Sequence, residues 1–273
     1  MSSLHADAPP AGVSLRPAAA LAEAADSAGA CAGCAAGAAL DFEITMAFQP
    51  IVDVARQRVH GYEALVRGLH GESAGEILSR VDDTNRYAFD QRCRARAIEL
   101  ACAHGIRDEP GAWLSINFLP NAIYRPEVCI RATLRAAQRH GFPLDRLVFE
   151  VSETERAPDL AHLKNIFAQY RALGFRTALD DFGSGHSGPL LLAELEPDVV
   201  KIDLRLVRGI EASRARQAVV RGIAQTCAEL GIVAVAEGVE THAELDVLRA
   251  LGLTLFQGYL FGRPAVREGA AGR

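Results

Sequence analysis

Eight polar residues stand in or just after short apolar runs: Glu63, Asn117, Glu150, the adjacent pair Asp180 and Asp181, Lys201, Glu237 and Gln257. Five are carboxylates, opposed in the same segments only by Arg67 and Lys201. Unit charges 4 Å apart interact by roughly 4 kcal/mol at an effective dielectric of 20, so gathering the five in one mouth would drive several pKa values upward. A hard cation relieves that repulsion. Carboxylates with an amide suit Mg²⁺ or Mn²⁺, and no His/Cys set in the chain resembles a zinc site. Two such ions would turn the local charge to about +1 and attract an anionic substrate. Adjacent carboxylates such as Asp180 and Asp181 suit the sharing of two metals that clamp a phosphoryl group and activate water. Lys201 then reads as a compact ammonium orienting water or phosphate, a role a guanidinium does not mimic. It is one of only two lysines, with Lys164, among 29 basic residues. Each residue alone has a plainer reading: Asp181 capping a turn before Gly183, Glu150 pairing with an Arg, Asn117 ending a strand. Recurrence along successive apolar runs favours the chemical one.

The elements that must position these groups follow from the apolar pattern. Strands are predicted at Met46–Val52, Val59–Val66, Trp113–Phe118, Leu147–Val151, Arg176–Leu179, Val199–Ile202, Val233–Ala236 and Thr254–Phe256. Helices are predicted at Phe89–His104, Glu127–His140, Leu160–Leu173, Ser213–Leu230 and Ala243–Leu251. Gly141, Gly174, Gly231 and Gly252 follow helical runs, as C-caps do. About eight strands alternating with helices argue for an α/β fold of the (β/α)₈ barrel type in one domain, where strand C-termini converge on one face. The first two strands are separated only by Asp53–Arg58. That link is too short for a parallel crossover and predicts an antiparallel hairpin.

Composition bounds the rest. The chain has 273 residues, 49% hydrophobic and 23% charged, with a formal net charge of −5. This mild acidity does not suit a nucleic-acid polymer as partner. No apolar run reaches the roughly 18 residues of a membrane span, and no signal-peptide pattern opens the chain, so a cytoplasmic location is expected. Residues 1–40 contain sixteen alanines and no large aromatic, and read as a flexible tail. Residues 41–266 form the expected barrel and 267–273 a short C-terminal tail. The six cysteines do not have the spacing of a disulfide scaffold and are expected to be thiols. Cys31 and Cys34 have the CxxC spacing of metal or redox sites, but no second CxxC or CxxH completes a tetrahedral set. A site shared between two chains is one way to complete it.

The ordered segments Phe48-Gln-Pro-Ile51, Glu63-Ala-Leu-Val-Arg67, Asn117-Phe-Leu-Pro120, Glu150-Val-Ser-Glu153, Asp180-Asp-Phe-Gly-Ser-Gly185, Lys201-Ile-Asp203, Ala236-Glu-Gly-Val-Glu240 and Gln257-Gly-Tyr-Leu-Phe-Gly-Arg-Pro264 resemble the EAL domain family of cyclic di-GMP phosphodiesterases. Details at 117–126 and 188–192 resemble EAL domains fused to BLUF photoreceptors. The resemblance implies a modified TIM (β/α)₈ barrel whose first strand is antiparallel. It implies hydrolysis of cyclic di-GMP to linear pGpG with two Mg²⁺ or Mn²⁺ ions, and a homodimer with contacts near Ser184–Pro189. By the same resemblance Glu63, Asn117, Glu150, Asp180, Asp181 and Glu237 are metal ligands. Lys201 orients the attacking water, Gln257 supports that site and Arg67 holds a substrate phosphate. Glu153 anchors the loop after Asp181, Glu240 is a supporting carboxylate, and Gln49, Leu65 and Pro264 lie on the substrate side.

The loop after Asp181 departs from the family: Ser184 and His186 stand where Thr and Tyr are more usual. Ser184 keeps the hydroxyl; His186 reads as a surface or packing variant, at some cost to loop packing and dimer coupling. The rival to an enzyme is a degenerate EAL domain that binds cyclic di-GMP, or docks a protein, without turnover. Such domains lose members of the carboxylate set, and here none is lost.

Overall fold

The computed structural model describes residues 39–154, 159–185 and 188–266. Most of the expected tail, Cys31 and Cys34, His186 and the C-terminal segment 267–273 lie outside them. Among the described residues eight strands close into one barrel in chain order. They are β1 (Ile44–Asp53), β2 (Arg58–Gly68), β3 (Trp113–Asn117), β4 (Leu147–Ser152), β5 (Arg176–Phe182), β6 (Val199–Ile202), β7 (Val233–Ala236) and β8 (Leu255–Gln257). β1 runs antiparallel to β2 and to β8, and all other pairs are parallel. The short link after Asp53 therefore does what its length requires.

The helices are α1 (Ala74–Leu78), α2 (Arg86–Ala103), α3 (Pro126–Cys129), α4 (Arg131–His140), α5 (Leu160–Ala172), α6 (Gly188–Leu195), α7 (Leu204–Val207), α8 (Arg214–Leu230) and α9 (His242–Ala250). The helix expected over Glu127–His140 is two pieces joined at Ile130, preceded by the Pro126 start that a fixed φ favours. α1 and α7 lie outside the helices expected from the apolar period, being short. Gly141 and Gly231 cap α4 and α8 in the left-handed region, at φ 65° and 69°.

Side chains alternate faces along a strand, so residues two apart share one. Inside the barrel Ile51, Trp113, Val148, Ala178, Val199, Val235 and Leu255 pack as one apolar cluster. Two residues beyond five of these, in β4 to β8, stand Glu150, Asp180, Lys201, Glu237 and Gln257. In β3 the two-residue step reaches Ser115 and a second reaches Asn117; in the reversed β1 it runs backward, from Ile51 to Gln49. In β2 the position below Glu63 is Gly61, where an added Cβ would lie 2.8 Å from the Trp113 Cβ and 2.9 Å from its carbonyl oxygen, so the neighbouring strand leaves no room for a side chain. The polar ring is thus one side-chain layer above an apolar plug. Burial of each such Val, Leu or Ile side chain stabilises the fold by about 1.5–3 kcal/mol.

β5 departs from expectation in a useful way. It continues through both aspartates to Phe182, with its register to β6 shifted between Leu179 and Phe182. Asp181 has φ 53°, in the left-handed region where a non-glycine residue is uncommon. In a regular strand Asp180 and Asp181 would face opposite sides; the irregularity lets both reach the mouth. A carboxylate oxygen from each lies within 4.8 Å of one from Glu237.

Candidate active site

Lys201 is 1% exposed and sits at the centre of the ring. Its Nζ lies 3.0 Å from Glu63 Oε2, 3.0 Å from Glu150 Oε2, 3.1 Å from Asp180 Oδ1 and 2.7 Å from Glu237 Oε1. An ammonium has three protons, so it cannot satisfy four carboxylates. Glu150 Oε1 is buried and without a hydrogen bond, as is Gln257 Oε1. The amides hold Glu63 in place: Asn117 Nδ2 donates to Glu63 Oε1 at 2.9 Å, and Gln257 Nε2 donates to Glu63 Oε2 at 2.7 Å. Gln257 Nε2 also donates to Gln49 Oε1, and Gln49 Nε2 to the Gly262 carbonyl, both at 3.1 Å. With its nitrogen committed to Glu63, the Asn117 amide keeps its oxygen available for a cation.

The pKa pattern reports a shortage of positive charge. Burial works against ionised Glu63, but Lys201 and the amides of Gln257 and Asn117 overcome it and hold this carboxyl below its ordinary value. Burial pushes Glu150 up to about 8, with Lys201 opposing and Glu63 and Asp180 adding to the rise. Asp180 is raised by burial, against Lys201 and with help from Glu63 and Asp181. Glu237 is raised well above the carboxylate range by burial and by Asp180. Burial alone would lower Lys201; Asp180, Glu150, Glu237 and Glu63 instead raise it well above normal. Two oxygen clusters could hold a cation, Glu63 with Glu150 and Asp180, and Asp180 with Asp181 and Glu237. Both are hard, oxygen-only donor sets, so the residues fit divalent cations of that class.

The ring opens into a cleft of about 300 Å³ whose lining includes Gln49, Leu65, Asp181, Arg208, Glu240 and Tyr259. Glu63, Leu65 and Arg67 share one face of β2 by the two-residue period. Arg67 Nη1 donates to the Val66 carbonyl at 2.6 Å, and Arg67 lies outside that lining. Pro264 also lies outside it, on the segment tied back to β1 by the paired backbones of Phe48 and Ala265. Glu153 accepts from Gly183 N at 2.8 Å, and its Oε1 would meet a Cβ on Gly185 at 2.8 Å. It therefore ties β4 to the loop after Asp181. Glu240 lines the cleft but forms an ion pair with Arg208, apart from the carboxylates around Lys201.

Three contributors went unrecognised in the sequence. Ser152 Oγ donates to Asp181 Oδ2 at 3.0 Å. Ser115, in the same polar layer, works against the rise of the Glu150 carboxyl. Arg208 brings a cation to the cleft wall from beyond α7. The step of two from Trp113 could have found Ser115; nothing local marks Ser152 or Arg208.

Known proteins share this arrangement of segments. The family model described as "EAL domain" matches residues 37–264. Among curated relatives, the blue light- and temperature-regulated antirepressor BluF of Escherichia coli (strain K12) is 29% identical over 80% of this chain and 53% of its own length. The cyclic di-GMP phosphodiesterase NbdA of Pseudomonas aeruginosa (strain ATCC 15692) is 28% identical over 82% of this chain and 29% of its own. The chain thus spans about half the length of the first and under a third of the second. Among solved structures, a standalone versatile EAL protein from Vibrio cholerae O395 in its c-di-GMP-bound form is 51% identical, with a TM-score of 0.79, covering 84% of this chain and 94% of that one. Klebsiella pneumoniae BlrP1, in a manganese/cy-diGMP complex at pH 9.0, is 36% identical with a TM-score of 0.76, covering 84% and 58%. With most of its length matched by the family model and its barrel shared with these structures, the chain belongs to the EAL domain family.

Proposed function

We propose that this chain hydrolyses one phosphodiester bond of cyclic di-GMP, using two Mg²⁺ or Mn²⁺ ions, and releases linear pGpG. The observation that carries this reading is the ring itself: four carboxylates crowd one buried ammonium, and three of them are raised toward protonation beside an open cleft. Divalent cations bound there supply Lewis-acid polarisation of a phosphoryl oxygen and lower the pKa of water. Glu63, Asn117, Glu150, Asp180, Asp181 and Glu237 are the residues that would hold them. Water adds to phosphorus, the P–O3′ bond breaks, and the proton lost by the water balances the one gained by the leaving 3′-oxygen.

The residues divide the remaining work. Lys201 would hold the attacking water by an N–H. Gln257 and Asn117 keep Glu63 oriented, and Glu153 keeps the loop after Asp181 in place. Arg67 takes a substrate phosphate, with Gln49, Leu65 and Pro264 on the substrate side and Glu240 supporting the cleft wall. Support for the substrate comes from relatives solved with cyclic di-GMP bound and from the relative named as its phosphodiesterase. We read the working unit as a barrel over 41–266 between two tails, acting in the cytoplasm as a homodimer. Among the described residues no helix is long and apolar enough to cross a membrane, and the cysteines are free thiols.

The test is incubation with cyclic di-GMP and Mg²⁺ or Mn²⁺, followed by chromatography. Accumulating pGpG is expected. Tight binding of cyclic di-GMP without pGpG at micromolar protein would overturn the enzyme reading in favour of a binding module.

A further inference from the structure

A second buried charge cluster lies outside the strand wall, behind the β3–β4 side of the ring. Arg94 on α2 is fully buried. Its Nε pairs with Asp90 Oδ2 at 2.8 Å, and its Nη1 donates to the Tyr170 hydroxyl on α5 at 2.6 Å. The guanidinium lies 5.5 Å from the Phe118 ring centroid, 5.1 Å from that of Phe149 and 5.6 Å from that of Tyr170. Phe118 follows Asn117 and Phe149 precedes Glu150, so by the alternation of strand side chains the rings face the helices while their neighbours face the mouth. Asn117 and Glu150 are themselves partners in register, and Phe118 N donates to the Glu150 carbonyl at 3.0 Å. Asp90 Oδ1 accepts from Leu119 N at 3.0 Å, two residues past Asn117.

We propose that Asp90, Arg94 and Tyr170 are positioning residues for the cation site, fixing the ends of β3 and β4 so that Asn117 and Glu150 present their oxygens together. The carboxylate of Asp90 sets where the chain turns after Asn117, and the guanidinium clamps the two rings that share a backbone with the ligands. The inference rests on reading the ring as a cation site. Partners that orient metal ligands in this way contribute about 10- to 100-fold to affinity.

The experiment titrates Mn²⁺ into the metal-free full chain by calorimetry, without substrate, and records the melting temperature of each variant. Asp90→Asn is expected to weaken Mn²⁺ binding about tenfold, and Tyr170→Phe, which keeps the ring, by a smaller factor. Ile166→Val, buried on the same helix as Tyr170, lowers the melting temperature and leaves Mn²⁺ affinity unchanged. In an Asn117→Ala background Asp90→Asn weakens binding less than it does alone, since part of its effect acts through Asn117. If Asp90→Asn and Tyr170→Phe lower the melting temperature while binding Mn²⁺ as tightly as the unaltered chain, the cluster is scaffold and the inference fails alone. An unaltered chain that takes up no Mn²⁺ overturns the cation-site reading and this inference with it.

Discussion

Two buried charge clusters sit on either side of the same strand ends and differ in composition. Behind the strands, Asp90 and Arg94 balance in charge, and the rings of Phe118, Phe149 and Tyr170 surround the guanidinium. In the mouth, Lys201 faces Glu63, Glu150, Asp180 and Glu237, with Asp181 beside them, and the space in front is open. Burial of charge alone therefore does not mark function. A balanced pair enclosed by apolar rings has its charge satisfied from within the chain and can act only by holding its neighbours, whereas a cation-poor group facing a cleft requires something the chain does not itself supply.

The sharpest way to separate the clusters is by activity. Glu63→Gln should lower pGpG formation by about 10³-fold, measured by chromatography at saturating Mn²⁺, because it alters a proposed cation ligand that also contacts Lys201 and both amides. Undiminished turnover would place the chemistry elsewhere. Next in size, Arg94→Met should destabilise the fold by about 3 kcal/mol in denaturant titrations, since it leaves Asp90 buried without its cation. The opposite sign is expected in the mouth. Glu237→Gln should stabilise the metal-free chain by about 1 kcal/mol while suppressing hydrolysis, because it removes one of several mutually repelling carboxylates. Equal destabilisation by both substitutions would erase the distinction between the clusters.

The pH dependence follows the same logic. Glu150, Asp180 and Glu237 are raised in the folded, metal-free chain above their unfolded values. Folding therefore takes up protons, and the associated stability is present below the ordinary carboxylate range and is lost as pH rises through about 8, the value for Glu150. Melting curves with and without Mn²⁺ should diverge as pH increases, since metal binding replaces the missing positive charge. A constant gap between them would break this account. The smallest effect is expected at the rim: Arg208→Gln should leave the melting temperature nearly unchanged, its ion pair with Glu240 being partly exposed, and raise KM a few-fold.

Much of the site is visible in the chain because strand geometry is local and has a period of two. Glu150, Asp180, Lys201, Glu237 and Gln257 each stand two residues after an apolar residue of one strand, and that spacing survives whatever the rest of the molecule does. The hairpin at Asp53–Arg58 was likewise dictated by link length. Helix ends were less legible: the break at Ile130 separates two segments that share one apolar period.

Other features depend on residues far apart in sequence, and only their assembly decided them. Adjacent aspartates belong on opposite faces until the register shift beside β6 and the left-handed Asp181 bring both to the mouth. Arg94 resembles any other arginine on α2 until Asp90, Tyr170 and three rings close around it. Glu240, matched by motif to a supporting carboxylate, is held at the cleft wall by Arg208, 32 residues away. The sequence by itself determined the barrel, the order of its strands and the identity of the carboxylates, because alternation, link length and residue type are properties of short segments. Which basic group meets the carboxylates, and how many of them it reaches, was settled only in the assembled barrel, where Lys201 lies 2.7–3.1 Å from four of them, because charge balance depends on distances between residues up to 174 positions apart.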